Sequence, residues 1–193
     1  MAKPVLKITT KKGKSALQAI HGYTNLIYGQ TSAVLTYTTE KMVGIAQKAF
    51  STAMYDGVND VVVRNVPDPR ATGSTDHLVF KVVAESPSGN ALFIEFGAGK
   101  HYNGTGSNNP FVATAMPTPL GIGQYGQHKG DRDAWVYYGN AGTNGIVIKD
   151  TPKGYKVLTY GNPPARAMFQ ARQYAERTII SEFKNRFKNF LKK

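Results

Sequence analysis

The chain contains no cysteine. That excludes a disulfide framework and any thiolate metal site, and it is compatible with a reducing cytoplasm. Acids are scarce as well. Twelve Asp and Glu stand against 24 Lys and Arg, for a formal net charge of +12 and a pI of about 9.8. Such a surface attracts phosphate backbones, acidic proteins or anionic membranes through long-range Coulomb forces without choosing among them. No stretch approaches the roughly 18 to 20 continuous apolar residues of a membrane span. The basic start, MAKPVLKITTKKGK, is followed by no apolar signal-peptide core. The expectation is a soluble protein made and used without export, with no membrane partner. The four histidines, His21, His77, His101 and His128, are scattered without metal-ligand spacing, so each reads as a surface or hydrogen-bonding residue.

What is present points to one domain with an extension. The length of 193 residues is enough for a sizeable core. Twenty glycines and ten prolines imply much loop. Residues 1–30 read as a basic N-terminal arm carrying Lys11, Lys12 and Lys14, in which ALQAIHGYTNLIYG allows a short helix interrupted by glycines. Residues 31–193 read as a single α+β domain. Its first helix is predicted over about 32–56, with Ser32 as N-cap and Gly57 as stop. Val34, Leu35, Thr38, Met42, Ile45, Ala49 and Phe50 make its apolar stripe.

NDVVVRNV and DHLVFKVVAES read as strands, and SPSGN as a turn. ALFIEFG reads as a strand, or as a short helix leading into one. Residues 97–131 show no periodicity and predict a long Gly-rich loop. DAWVYYG is strand-like, and GIVIKDTPKGYKVLTYG predicts a hairpin with Thr-Pro-Lys-Gly at its tip. A long C-terminal helix is predicted over about 163–191, capped by Asn162 with Pro163 or Pro164 in its first turn. Met168, Ala175, Ile179, Phe183, Phe187 and Phe190 mark one face, and Arg172, Arg177, Lys184, Arg186 and Lys188 lie largely on others. Together these predict an antiparallel or mixed sheet flanked by two helices.

The stretch that most invites chemistry is FIEFGAGKHYN, Phe93 to Asn103. A Walker-type phosphate loop needs Gly, four residues, then Gly-Lys-Ser/Thr. Here Gly99-Lys100 is followed by His101, and Ile94 stands where the first glycine belongs. The dinucleotide fingerprint fails too, because Tyr102 replaces its third glycine and no helix follows. Glu95 is the one acid embedded in an apolar run, which makes it the candidate for a shifted pKa. Asp131 or Asp133 would be its partner in a paired-carboxylate hydrolase, but nothing in the sequence ties them together. The structural alternative has Glu95 paired with a basic side chain or backbone amides, within or between subunits. No Gly-x-Ser-x-Gly elbow occurs. The basic arm and the basic faces of the last helix support nucleic-acid binding as an alternative function, with the helix aromatics serving as core.

Three segments in order carry a family resemblance: FIEFGAG (93–99), GQYGQHKGDRDAWVYYG (123–139) and TYGNPPARAMFQARQYAERTI (159–179). Together with the helix and strand in YTTEKMVGIAQKAFSTAMYDGVNDVVV, this pattern resembles the gene-product-10-like family of head–tail connector proteins in long-tailed phages. The likeness spans roughly residues 34–190. It departs from the family pattern where Pro164 precedes the alanine and where Ala167 replaces the usual proline. The resemblance implies a structural virion protein without catalysis or cofactor, made in the host cytoplasm and resident at the head–tail junction. Such a neck or tail-completion protein forms a homo-oligomeric ring of six subunits, or of twelve. Its implied partners are a head-completion or stopper protein, a tail terminator or tail tube protein, and genomic DNA in non-specific contact.

A ring needs heterologous interfaces that close by rotation, and long loops can order against a neighbour. On that reading Gly97 and Gly99 release the chain toward a neighbouring subunit, Glu95 clamps that exit through a salt bridge or amide contacts, and Phe96 stands with them among the interface residues. Tyr102, Phe111, Tyr125, Trp135, Tyr137 and Tyr138 supply aromatic anchors of the kind enriched at interfaces.

Overall fold

A helix of 36 residues, α1 (Ala16–Ser51), opens the structure, a computed structural model that describes residues 16–67, 78–99 and 131–190. The helix starts at Ala16, not near Ser32, so the second half of the expected arm is helical. Gly22, Gly29 and Gly44 do not break it. A side chain at any of the three would meet open space, so they cost only helix propensity, roughly 1 kcal/mol each. The helix ends at Ser51, where the Phe50 carbonyl accepts both from Ala53 N at 3.1 Å and from the side-chain amide of Asn59 at 2.8 Å. Lys11, Lys12 and Lys14 lie outside the described residues, as do Tyr102, Phe111, Tyr125 and all of the expected Gly-rich loop from residue 100 to 130.

Two small antiparallel sheets follow where one sheet was expected. The first pairs β1 (Val62–Pro67) with β2 (Phe80–Glu85), in a register that sets Val63 opposite Ala84. Alternation about the pleat buries Val61 and Val63 and turns Val62 and Arg64 outward. Gln47 of α1 fastens this sheet to the helix. Its side-chain amide donates to Val61 O at 3.0 Å and its oxygen accepts from Val63 N at 2.8 Å. The second sheet has the order β3-β5-β4, built from β3 (Trp135–Gly139), β4 (Ile146–Thr151) and β5 (Gly154–Thr159). The hairpin tip falls at Thr-Pro-Lys-Gly, as the turn chemistry requires. Between the two sheets, ALFIEF is the short helix α2 (Ala91–Phe96).

The C-terminal helix α3 (Ala167–Phe190) packs along α1. The core lies where α1, β1, α2 and α3 converge, on Ala46, Phe50, Val61, Val63, Ile94, Ala167 and Ala171. Small residues on α1 and α3 let the two helices approach closely, and Phe50 fills the space between them and the sheet. Full burial of such a side chain contributes roughly 1.5–3 kcal/mol. Further along α3, Phe183 and Phe187 stack one turn apart with ring centroids at 6.1 Å. The expected α+β architecture is therefore present, as two helices flanking antiparallel sheets.

Candidate functional site

The start of α3 lacks a local cap. The residue before Ala167 is Arg166, held at φ 53°, and the residues ahead of it are prolines and alanine. None of these can accept the free amides of the first turn. The acceptor comes from a different element. Glu95 projects from the end of α2, and its two carboxylate oxygens accept from Met168 N at 3.1 Å and Phe169 N at 3.2 Å. The Ala167 amide also stabilises the ionised carboxylate. Negative charge at this end of a helix is favourable. Burial nevertheless outweighs these bonds and the nearby Arg166 charge, so the Glu95 pKa lies above the ordinary carboxylate value. Burial likewise lowers the Arg166 pKa, and Glu95 opposes that shift.

Around this cap the chain 93–99 is zipped to the chain 161–169. Ala165 N donates to Ile94 O at 2.8 Å, and Arg166 N donates to Glu95 O at 3.2 Å. Ala98 and Asn162 exchange a pair of backbone hydrogen bonds at 3.0 Å. The Asn162 side-chain amide, buried, donates to Phe93 O at 3.0 Å. Glycine is required at the crossing points. A Cβ on Gly97 would lie 2.8 Å from Asn162 O, and one on Gly161 would overlap Ala98 O, both at positive φ. Gly99 has Trp135 at its edge. Two of the three segments singled out in the sequence thus clasp each other, and the third contributes the tryptophan beside them. Asn162 is not the cap of α3 as expected. It ties α2 to the strand exit, and the capping role falls to Glu95 because the helix begins four residues later than Pro163.

A second junction joins the end of α1 to the β3–β4 connection. Thr143 N donates to Tyr55 O at 2.8 Å, and Tyr55 N donates to the Thr143 hydroxyl at 3.0 Å. Gly142 sits so close to the Tyr55 and Gly57 backbones that no side chain fits. Between the two junctions lies a cavity of about 350 Å³ bordered by Asp56, Phe93, Trp135 and Tyr137. Asp56 is 7% exposed, and its Oδ2 has no hydrogen-bond partner among the described residues. Burial pushes its pKa up to about 6, against a partial offset from its own backbone amide. Burial, then the Asp56 charge, raises the Tyr55 phenol well above its usual range and Tyr137 to about 12. Asp56 and Tyr55 are absent from the sequence-predicted set. The Tyr-Asp-Gly run reads as a helix stop, and nothing local announces that an acid there becomes buried.

The remaining sequence-predicted residues spread over several surfaces. Phe96 is buried beside the clasp, Trp135 and Tyr137 are half-buried at the cavity, and Tyr138 faces outward. Arg172, Arg177, Lys184, Arg186 and Lys188 are exposed along α3, with Arg172 held by Glu176 at 2.6 Å. Neither Asp131 nor Asp133 enters the hydrogen bonds around Glu95; both are exposed. Among the described residues no group of three or more His, Cys, Asp or Glu is placed to hold a metal ion, and no helix is long and apolar enough to cross a membrane.

Apolar side chains gather on the outer face and free edge of the three-stranded sheet. Ile146, Val147 and Ile148 on β4 are each about half exposed, and Val136, Tyr138 and Tyr155 on its neighbours are similar. Among the described residues β4 pairs only with β5, so its other edge presents unpaired backbone groups. Ile20, Tyr23 and Leu26 add an exposed apolar row on the first turns of α1. No protein-family model, no curated protein and no solved structure matches the chain.

Proposed function

We propose that the chain is a structural subunit of a tailed-phage virion, a neck or tail-completion protein that closes into a ring of six, or of twelve, at the head–tail junction. In that place it joins a head-completion or stopper protein to a tail terminator or tail tube protein and lies near the genome's path. The observation that carries this reading is strand β4. Its isoleucines and valine are exposed on both faces, and among the described residues its second hydrogen-bonding edge has no partner strand. An edge of that kind is a template for a neighbouring chain unless it is blunted. The exposed apolar row on α1 offers a second contact, as a heterologous interface requires. Glu95, the acid a hydrolase reading would need, has both carboxylate oxygens engaged by main-chain amides.

Negative-stain images and sedimentation of the purified protein, alone and mixed with the adjacent connector and tail proteins, test the reading. Rings are expected, and they should be lost in Ile148→Lys while the melting temperature stays unchanged, since Ile148 is 52% exposed. A protein that stays monomeric under all these conditions overturns it.

The exposed cations Arg177, Lys184, Arg186 and Lys188 favour a second reading, a nucleic-acid-binding accessory protein. Its affinity for DNA or RNA would fall steeply with salt. Absence of retention at low salt removes it.

A further inference from the structure

Asp56 has an environment that neither the clasp nor the sheet surface explains. A carboxylate so deeply buried is costly unless it is paired or fully hydrogen-bonded. The clasp's own acid shows how the fold meets that cost, because Glu95 spends its oxygens on backbone amides. Asp56 is different. Among the described residues its Oδ2 has no partner, and the hydrogen bond that stabilises its charge comes from its own backbone. It borders a cavity of about 350 Å³, at the small end of the range for ligand sites. Tyr55, Phe93, Trp135 and Tyr137 supply aromatic walls, and Asn90, Asn140 and Asn162 add neutral polar ones. An unpaired carboxylate beside aromatic rings is a complementary environment for an organic cation, which gains Coulomb attraction from the acid and quadrupole attraction from the ring faces.

We propose that this cavity seats one guanidinium or alkylammonium group, delivered as an Arg or Lys side chain by a second copy of the chain. The chemistry of the seat stands on the cavity alone, whereas delivery by a second copy rests on the assembly reading above. Charge argues for that source. Copies that each carry +12 repel one another, and the 24 Lys and Arg far outnumber the acids able to receive them. An interface that buries a cation of one copy against an acid of the next relieves part of that repulsion and fixes register.

Trp135 is the single tryptophan of the chain and borders the cavity, so its fluorescence reports occupancy directly. The probe is n-propylguanidinium at constant ionic strength, with the neutral N-propylurea as its control. The expected result is a saturable change in Trp135 emission with the cation, none with the urea, and at least a tenfold weaker response in Asp56→Asn. No saturable response in the wild type, or an equal response in Asp56→Asn, overturns the seat. Sedimentation of the same variant tests the source. Weakened self-association supports delivery by a second copy. Unchanged self-association in a variant that has lost probe binding overturns that source and leaves the seat to a free cation. A protein that binds the probe yet never associates removes the ring reading while the seat stands.

Discussion

Replacing Glu95 separates its two contributions, acceptor and charge. In Glu95→Ala the amides of Met168 and Phe169 lose their acceptor inside the protein, 3.1 and 3.2 Å from where the oxygens were. Leaving a buried donor unsatisfied costs about 1–3 kcal/mol, and loss of a helix cap alone costs about 0.5–2. A net loss of about 3 kcal/mol follows, which for a chain of this length lowers the melting temperature by about 6–12 °C. Glu95→Gln behaves differently. The Glu95 pKa is raised, so the ionised form is less well accommodated than the neutral one. The stability linked to its protonation is therefore complete below the ordinary glutamate pKa and is lost as pH rises through the folded value. Glutamine keeps one acceptor and carries no charge to desolvate. It should stay within about 1 kcal/mol of the wild type at pH 7 and lack this pH dependence. Urea denaturation of the three proteins at pH 5 and pH 8, with amide exchange at residues 168 and 169, measures all of this. A Gln variant as damaged as the Ala variant would show that the charge, not the acceptor, holds α3. An Ala variant as stable as the wild type would show that the cap does not matter.

Two further outcomes are expected from the same structure. Asp56→Asn should be more stable than the wild type at pH 8, by no more than about 3 kcal/mol given a pKa raised to about 6, and equal to it near pH 3.5. Tyr55 and Tyr137 stay protonated throughout that range, so thermal melts across pH isolate the acid; a variant less stable than the wild type at pH 8 refutes the burial argument. Gly161→Ala and Gly44→Ala should move stability in opposite directions. The first forces a Cβ into Ala98 O at positive φ and costs several kcal/mol, whereas the second adds a methyl in open space on α1 and gains about 0.5–1 kcal/mol. Chemical denaturation reads both, and a harmless Gly161→Ala would mean that the two chains do not cross as described.

Much of the architecture is written in local pattern. The stripe through Val34, Thr38, Met42 and Phe50, the β-branched runs of β1 and β2, and the Thr-Pro-Lys-Gly tip each depend on residues close together in sequence. Period and turn chemistry are sufficient to recognise them. The misjudged boundaries have local causes too. Gly22 and Gly29 suggested a break in α1, but a single glycine weakens a long helix without ending it when nothing crowds that face. Pro163 and Pro164 suggested the first turn of α3, but both lie in the extended segment zipped to α2.

The sequence by itself determined the element order, the excess of positive charge, and that Glu95 stands conspicuously among apolar neighbours. Only the tertiary structure decided what Glu95 faces. A carboxylate 73 residues from the amide it caps leaves no periodic trace, because periodicity records which face of an element is buried and not what lies opposite. The absence of any capping residue before Ala167 was the one local sign that an acceptor had to come from elsewhere. For Asp56 there was no such sign. Its burial comes from the packing of Trp135, Tyr137 and the β3–β4 connection onto the end of α1, contacts between residues about 80 positions apart that sequence pattern does not encode.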